Sequence, residues 1–314
     1  MCGIVAYIGE REACPILLSG LKRLEYRGYD SAGIALINNH QIHVYKTKGR
    51  VQDLEKKLQE INTHAHSGMG HTRWATHGEP NDVNAHPHTS MNGKFCLIHN
   101  GIIENYMVLK EKLTRRGYSF KSETDSEVLV NLIEYIYLKG GIDAETAVRL
   151  ALTKVVGAYG LVIMCSDEQD KLITTRKGSP LVIGVGNREY FAASDATPII
   201  EYTKNVIYLN DDDMAVLRKD GLTLKTRNND MLAPDIQQVD LDIEKIEKGG
   251  FPHFMLKEIF EQVYSIRDTI RGRVNLEASE IFLGGISEML PKLLQADRII
   301  IVGCGTSWHA GLVG

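Results

Sequence analysis

The sequence predicts an α+β fold in which β-sheets are covered by helices, and three observations lead to this prediction. An apolar, strand-like run at residues 3–8 is followed by leucines at helical spacing. Helical patterns dominate residues 106–155, whereas short β-rich runs fill residues 160–225. This order of strands, helices and further strands predicts mixed sheets within a layered domain that ends near residue 240.

The individual elements follow from periodicity and turn residues taken along the chain. Apolar spacing predicts helices at residues 17–24, 51–61, 106–116, 126–138 and 144–155. Strands are predicted at residues 3–8, 32–37, 41–45, 95–98, 160–165, 172–176, 181–185, 190–193, 206–209, 214–218 and 222–225. Residues 64–88 show no periodicity and are predicted to form a loop with a functional role. Asn100-Gly101 is predicted to end the strand before it.

A second structural unit is predicted after a charged linker. Residues 241–290 are predicted to form this linker and a helical junction, with a long amphipathic helix that starts at Pro252. Residues 290–294 have a helical pattern, and the apolar run 298–302 predicts a strand that leads into glycines and hydroxyl residues. Such a transition is typical of the first unit of an α/β domain. We therefore expect residues 291–314 to be the truncated start of that domain.

Composition and charge argue against several classes of partner. The chain has 36 basic and 40 acidic residues, a net charge of −4 and no long basic run. This balance argues against nucleic acid or an anionic membrane as partner. No segment approaches the roughly 18 apolar residues of a membrane span. The cysteine usage fits a reducing cytoplasm, and we expect a cytoplasmic protein.

The cysteines and histidines predict neither a disulfide framework nor a metal centre. The five cysteines are widely spaced, as expected for a protein of a reducing compartment. Six of the eleven histidines fall between residues 64 and 88, but no HExxH motif and no well-spaced acidic ligand accompanies them. The sequence therefore predicts no metal and no cofactor.

Cys2 is the first candidate for chemistry. Removal of Met1 would leave a thiol and a free α-amine on one residue, with ordinary pKa values near ~8.5 and ~7.7–8. The amine can then act as base for the thiol at neutral pH. The alternative is an ordinary buried cysteine at the start of a strand.

Two further motifs offer groups for binding a carboxylate and an oxyanion. Arg73 has a planar guanidinium that suits a carboxylate, and Trp74 can cover a ligand, although a surface loop explains this pair equally well. The Asn100 amide and the Gly101 N–H can form an oxyanion hole. The alternative for Asn100-Gly101 is a hairpin turn, in which this dipeptide is common.

The segment Ser122–Glu127 combines a structural and a functional prediction. Thr124 and Glu127 predict a capping box at the start of a helix. This leaves Asp125 in the first helical turn, where it can bind an ammonium group if it faces a cleft. The two predictions are compatible.

Gly303–Ser307 is a candidate phosphate loop. No lysine follows it, as a P-loop would require, and Trp308 stands where a dinucleotide fingerprint needs its third glycine. A monophosphate held by backbone N–H groups and by the hydroxyls of Thr306 and Ser307 fits better.

Together these motifs resemble those of the glutamine–fructose-6-phosphate aminotransferase family, also called glucosamine-6-phosphate synthases. The resemblance covers residues 2–314 and rests on residues 1–5, 26–33, 70–78, 84–88, 99–101, 122–125, 255–259 and 304–307. It implies an N-terminal-nucleophile hydrolase fold, a four-layer αββα sandwich, followed by a fragment of an α/β sugar isomerase domain. Residues 2–240 would form the class II glutamine amidotransferase, or glutaminase, domain.

The resemblance also implies a role for each matching residue. Cys2 would be the nucleophile, and Asn100 and Gly101 would hold the oxyanion. Arg73 would bind the α-carboxylate of glutamine and Asp125 its α-ammonium. The loop that closes over glutamine would contain or be supported by Trp74, Thr76, His77 and His86. The incomplete sugar-phosphate loop would use Gly305, Thr306 and Ser307.

The implied activity is hydrolysis of L-glutamine to glutamate and ammonia through a γ-glutamyl thioester. In full-length family members the ammonia passes through an internal channel to fructose 6-phosphate and gives glucosamine 6-phosphate, an amino-sugar and cell-wall precursor. Because the isomerase part is truncated here, we expect this chain only to hydrolyse glutamine and to be monomeric, whereas full-length members form homodimers. The alternatives are a hydrolase of another amide and a sugar-phosphate-binding module.

Overall fold

The computed structural model describes residues 2–59, 61–75, 78–239, 251–270, 274–275, 280–281, 289–303 and 305–313. The chain divides into two compact units, residues 1–246 and 247–314. Residues 240–250 of the predicted linker lie outside the described residues, and the domain limits at 240 and 290 stay predictions.

The described residues of the first unit form two antiparallel β-sheets and five α-helices. The strands are β1 (Gly3–Ile8), β2 (Ser31–Asn38), β3 (Gln41–Lys48), β4 (Ser67–Arg73), β5 (His88–Thr89), β6 (Phe95–Ile103), β7 (Gly157–Cys165), β8 (Leu172–Lys177), β9 (Val182–Val185), β10 (Tyr190–Ala193), β11 (Asn205–Tyr208), β12 (Met214–Arg218), β13 (Gly221–Lys225) and β14 (Gln237–Gln238). The helices are α1 (Ala13–Leu24), α2 (Val51–Leu58), α3 (Tyr106–Thr114), α4 (Asp125–Gly140) and α5 (Ala144–Leu152). Most of these elements confirm the prediction, and β10 and β12 do so residue by residue.

The two sheets pack face to face between two layers of helices. The first sheet has the order β14-β11-β9-β10-β1-β4-β2-β3, and the second has the order β13-β12-β8-β7-β6-β5. Residues of β1 alternate between two cores, as the period of a strand requires. Val5 and Tyr7 pack with α1 and α2, whereas Ile4 and Ala6 pack between the sheets. Helices α3, α4 and α5 cover the second sheet with a third core, which confirms the predicted αββα sandwich.

Strand β4 is the clearest departure from the prediction, because it lies within the segment expected to be a loop. It pairs with β1 on one side and β2 on the other. Glycines occupy positions in β4 where a buried strand would ordinarily carry apolar side chains, so the periodicity of a strand is not visible in the sequence. These glycines let α1 pack closely on the sheet. A Cβ at Gly68 would lie 2.8 Å from Leu17 Cδ1, and one at Gly70 would lie 2.9 Å from Leu21 Cδ1.

Strand β6 is a second correction, because Asn100-Gly101 does not end it. The strand continues to Ile103, and Gly101 lies opposite Tyr159 of β7. Gly101 has φ +135°, and a Cβ there would lie 2.0 Å from the carbonyl oxygen of Ala158. The dipeptide is therefore a strand segment that only glycine permits at position 101, and the predicted hairpin turn is wrong.

The second unit contains short elements and one long helix. Its elements are α6 (Phe254–Ile270), β15 (Val274–Asn275), β16 (Glu280–Ile281), α7 (Leu290–Leu294) and α8 (Thr306–Val313). The long helix and residues 290–294 confirm the prediction. Residues 298–302 form no strand, because no neighbouring strand among the described residues supplies the hydrogen bonds that a parallel ladder needs. No helix in the described ranges is both long and apolar enough to cross a bilayer.

Candidate active site

A cavity of about 280 Å³ in the first unit is lined by most of the predicted site residues. The predicted residues that line it are Cys2, Arg73, Trp74, His86, Asn100, Gly101 and Asp125. They lie just before β1, at and just after the end of β4, in the middle of β6 and in the first turn of α4, except for His86, which lies in the segment before β5. Thr76 and His77 lie outside the described residues, and Gly305, Thr306 and Ser307 belong to the second unit.

Cys2 is placed in the cavity by the pairing of β1 with β4. Gly3 lies opposite Thr72, which brings Cys2 next to the end of β4. The Trp74 backbone N–H donates a hydrogen bond to Cys2 Sγ at 3.2 Å, and the Trp74 carbonyl lies 3.5 Å from the same sulfur. Burial raises the pKa of the Cys2 thiol, and the backbone hydrogen bond from Trp74 only partly opposes this effect. The thiol therefore needs a base at neutral pH.

The Asn100 side chain connects the two sheets at the bottom of the cavity. Its Nδ2 donates to the Cys2 carbonyl oxygen at 2.9 Å, and its Oδ1 lies 2.9 Å from His71 Nε2. His71 is fully buried, and burial lowers its pKa to about 3, so that this imidazole is neutral. Asn100 thus presents a hydrogen-bond donor beside Cys2, which is the arrangement that an oxyanion hole would need.

Arg73 and Trp74 form a wall of the cavity where β4 ends. Arg73 is buried, and its Nη2 donates to the Gly78 carbonyl at 3.3 Å. Trp74 is 51% exposed, and its ring meets the edge of Tyr29 with the centroids 5.6 Å apart. A buried guanidinium at the edge of a cavity is well suited to binding a carboxylate.

Asp125 lies at the first position of α4, where the helix dipole favours a negative charge. It is 4% exposed, and its Oδ2 accepts a hydrogen bond from the Ile103 N–H at 2.7 Å. The predicted capping box is half correct. Thr124 accepts from the Glu127 N–H, but Glu127 accepts from the N–H groups of residues 121 and 122 instead of residue 124. The larger loop closed by Glu127 holds Asp125 towards the cavity.

A buried group of histidines lies next to the residues that line the cavity. His86 Nε2 and His99 Nδ1 each lie 2.9 Å from Ser126 Oγ, next to Asp125. The rings of His86 and His71 are 4.3 Å apart, and burial lowers the pKa of His86 well below its ordinary value. This group connects the oxyanion donor on β6 with the acid on α4.

The structure adds residues that the sequence analysis did not assign. Arg27 lines the cavity and forms an ion pair with Asp195 at 2.6 Å. Asp30 accepts a hydrogen bond from the Ala75 N–H and so holds the chain after Trp74. Arg27 and Asp30 stand in the resembling segment 26–33, but no local pattern in that segment indicates which residues face the site.

Among the described residues, one group of side chains brings three potential metal ligands together. It consists of Glu12, His64 and His66, whose ligand atoms lie within 4.8 Å of one another. All three are exposed, and none of them lines the cavity around Cys2. The cysteines at positions 2, 14, 96 and 165 are free, as predicted.

Comparison with known proteins shows what the chain as a whole is similar to. A family model described as a glutamine amidotransferase domain matches residues 71–201. The whole chain is 56% identical to glutamine–fructose-6-phosphate aminotransferase (isomerizing) of Bacteroides thetaiotaomicron and 55% identical to that of Chlorobaculum tepidum, and it covers 52% of each. The chain therefore spans about half the length of the curated relatives it matches.

A solved structure with the same fold is the glutamine phosphoribosylpyrophosphate amidotransferase of B. subtilis. It superposes with a TM-score of 0.63 at 25% identity, over 73% of this chain and 50% of that one. Sequence and fold thus agree: residues 71–201 match a glutamine amidotransferase domain, and the chain as a whole is homologous to about half of a glutamine–fructose-6-phosphate aminotransferase.

Proposed function

We propose that this chain hydrolyses the side-chain amide of L-glutamine, with Cys2 as the nucleophile. The observation that carries the proposal is the meeting of a thiol, an amide donor, a guanidinium and a carboxylate around one cavity. These groups belong to Cys2, Asn100, Arg73 and Asp125. A cation and an anion can hold the zwitterionic end of glutamine while the thiol and the donor meet its amide.

The reaction begins with transfer of the thiol proton to a base. Because burial raises the pKa of Cys2, little thiolate is present at neutral pH, and the α-amine of Cys2 supplies the base once Met1 is removed. The sulfur attacks the amide carbon, and the Asn100 Nδ2–H and Gly101 N–H stabilise the oxygen as it becomes negative. The C–N bond then breaks, the nitrogen takes the proton and leaves as ammonia, and a γ-glutamyl thioester remains.

A water molecule completes the reaction by attacking the thioester carbon. The same base takes a proton from the water, the C–S bond breaks, and glutamate leaves as the thiol is restored. Trp74 and the predicted cover residues Thr76 and His77 limit the access of bulk water in this proposal. Trp74 supports it because it stands at the mouth of the cavity, half exposed and in contact with Tyr29.

In the longer protein, the ammonia would pass to fructose 6-phosphate and give glucosamine 6-phosphate. The names of the relatives support this part of the proposal, since they are fructose-6-phosphate aminotransferases over about twice this length. Gly305, Thr306 and Ser307 would contribute to the sugar-phosphate site. Gly305 has φ +59° and directly precedes α8, which fits a phosphate loop at a helix start. The longer protein would be a cytoplasmic homodimer.

The test measures glutamate released from L-glutamine by the purified chain. Mass spectrometry first shows which molecules have lost Met1, since only these carry the α-amine of Cys2. We expect activity in the processed chain and a loss of about 10⁴-fold or more in Cys2→Ala.

The matched control is Cys14→Ala, which removes another free cysteine that lies buried in α1 and does not line the cavity. It should hydrolyse glutamine at the wild-type rate. Full activity in Cys2→Ala, or no activity in the processed wild type, would contradict the proposal.

A further inference from the structure

We propose that His71 is a positioning residue that holds the Asn100 amide with its NH₂ group towards the nucleophile. This inference rests on the proposed function, because it assigns to His71 the orientation of an oxyanion donor. The two ends of an asparagine amide have nearly the same shape but opposite hydrogen-bonding roles. An oxyanion hole works only if the NH₂ end faces the reacting carbon.

The orientation follows from an obligate acceptor in the site. The Cys2 carbonyl oxygen lies 2.9 Å from one end of the Asn100 amide. A carbonyl can only accept, so that end must be the NH₂ group and the other end must be the oxygen. The amide oxygen then faces His71 Nε2 at 2.9 Å, and His71 must donate.

The environment of His71 selects the tautomer that makes this donation possible. His71 is fully buried, and burial together with the nearby positive charge of Arg73 lowers its pKa. The imidazole is therefore neutral and carries a single proton. The single proton lies on Nε2, because Asn100 Oδ1 can only accept the hydrogen bond that joins these two atoms.

Without this donor, the Asn100 amide would no longer be fixed by two partners. The flipped amide would place its oxygen against the developing negative charge, and an intermediate rotation would move the donor away from it. A displacement of this size lowers the rate by about 10²-fold or less, and the substrate clamp at Arg73 and Asp125 is unaffected. The effect therefore belongs to kcat and not to KM.

The test compares two substitutions of His71 for glutamine hydrolysis. In His71→Leu we expect kcat to fall by about 10- to 100-fold, with KM within about threefold of the wild type. In His71→Gln, whose amide can still donate to Asn100 Oδ1, we expect most of this loss to be recovered. His88→Asn is the matched control, because His88 is equally buried but bonds to Thr124. It should leave kcat closer to wild type than His71→Leu does.

A double-mutant cycle with Asn100→Ala separates positioning from general damage to the fold. If His71 acts through Asn100, then His71→Leu lowers kcat in the wild type but causes little further loss in Asn100→Ala. Equal losses in both backgrounds, or a wild-type kcat in a folded His71→Leu, would overturn the inference. If the wild type itself fails to hydrolyse glutamine, the proposed function fails instead, so the two failures are distinguishable.

A second inference concerns a different surface and does not depend on the proposed function. We infer that Glu12, His64 and His66 form a site for a divalent transition-metal ion such as Zn²⁺. His64 Nδ1 lies 2.5 Å from Glu12 Oε1, so that both atoms can bind the same metal ion. His66 Nδ1 lies 3.1 Å from the Arg11 carbonyl and must donate to it, which leaves the lone pair of Nε2 for a metal.

The backbone holds these ligands in place. The carbonyl groups of residues 64, 65 and 66 accept hydrogen bonds from Asn38 Nδ2, the Ala13 N–H and the Gly9 N–H. The second carboxylate oxygen of Glu12 accepts from the Ala65 N–H at 3.3 Å. Such outer contacts orient metal ligands in known zinc sites. The sequence did not indicate this site, because its acidic ligand lies 52 residues before His64.

The test titrates Zn²⁺ into the Cys2→Ala chain by calorimetry, so that the thiol of the cavity cannot bind the metal. Co²⁺ absorption then reports the geometry of the bound ion. We expect one ion per chain, with affinity lowered about tenfold or more in His64→Ala, His66→Ala and Glu12→Gln. The exposed His43→Ala is the control and should bind as the parent does. No binding, or binding unchanged in His64→Ala, would overturn the inference.

Discussion

The nucleophile and the acid of the cavity are held in opposite ways. Cys2 Sγ touches only backbone groups of Trp74 in the described contacts, and burial raises its pKa. Asp125 lies at a helix start, accepts the Ile103 N–H and stands beside the Ser126 hydroxyl. The surroundings thus oppose the charged form of the thiol and provide hydrogen bonds for that of the carboxylate.

This difference suits one part of the site to the reaction step and the other part to substrate binding. In the proposed mechanism the thiol of Cys2 reacts after a base takes its proton, whereas the carboxylate of Asp125 holds the substrate. Changes around Cys2 should therefore alter kcat, and changes around Asp125 should alter KM.

Asn100→Ala should have the largest effect of these changes, because it removes an oxyanion donor beside Cys2. We expect kcat for glutamine hydrolysis to fall by about 10²–10³-fold, with little change in KM. Steady-state kinetics of glutamate release measure both values. A variant in which KM rises while kcat is kept would show that Asn100 binds the substrate instead, and the division of the site would fail.

Asp125→Asn should chiefly raise KM, because it removes the negative partner of the α-ammonium but keeps the shape of the side chain. Hydrogen bonds to charged groups contribute about 1.5–3 kcal/mol, which corresponds to a rise in KM of about 10- to 100-fold. Glutaramate, which has no α-ammonium, is the matched substrate. Its hydrolysis should be much less sensitive to the substitution, and an equal loss for both substrates would contradict the assigned role.

The buried histidines make the stability of this site depend on pH. Burial lowers the pKa of His88 well below its ordinary value, so the unfolded chain binds this proton more readily. Stability is therefore lost as pH falls below about 6.5, the ordinary pKa of a histidine in an unfolded chain. Urea unfolding at pH 7.0 and 5.5 should show a smaller loss in His88→Gln than in the wild type. An unchanged loss would contradict the assignment.

Thr124→Ala tests the helix cap next to Asp125, and we expect a small effect. Thr124 caps α4 by accepting the Glu127 N–H, and loss of such a cap costs about 1 kcal/mol. We expect a fall in Tm of about 2–4 °C, measured by calorimetry, and a modest rise in KM as Asp125 loosens. Thr124→Ser keeps the hydroxyl and should behave as the wild type. A change in kcat alone would contradict this expectation, because it would show that Thr124 affects the reaction step and not substrate binding.

Sequence patterns predicted the supporting strands better than the strands that carry the site. Short continuous apolar runs predicted the limits of β10 and β12, which are buried on both faces. In β4 and β6 this apolar pattern is interrupted, at Gly68 and Gly70 in β4 and at Asn100-Gly101 in β6. There, close packing of α1 and the approach of β7 require small residues where a core strand would have apolar ones.

The candidate site was predictable where a motif is local and not where contacts cross the chain. Cys2, Arg73, Asn100 and Asp125 were assigned because short motifs surround them in the sequence. The role of His71 depends on a bond to Asn100, 29 residues away. Ser126 meets His86 across 40 residues, and no local pattern records such a contact.

Gly28 limits how far this site can be altered by directed evolution. A Cβ at position 28 would lie 2.8 Å from the carbonyl carbon and oxygen of Arg73, which are backbone atoms that cannot turn aside. Any side chain there would displace the segment whose next N–H binds the Cys2 thiol. Ser179 and Pro180, which line the cavity from another segment, are therefore the better positions at which to select new amide substrates.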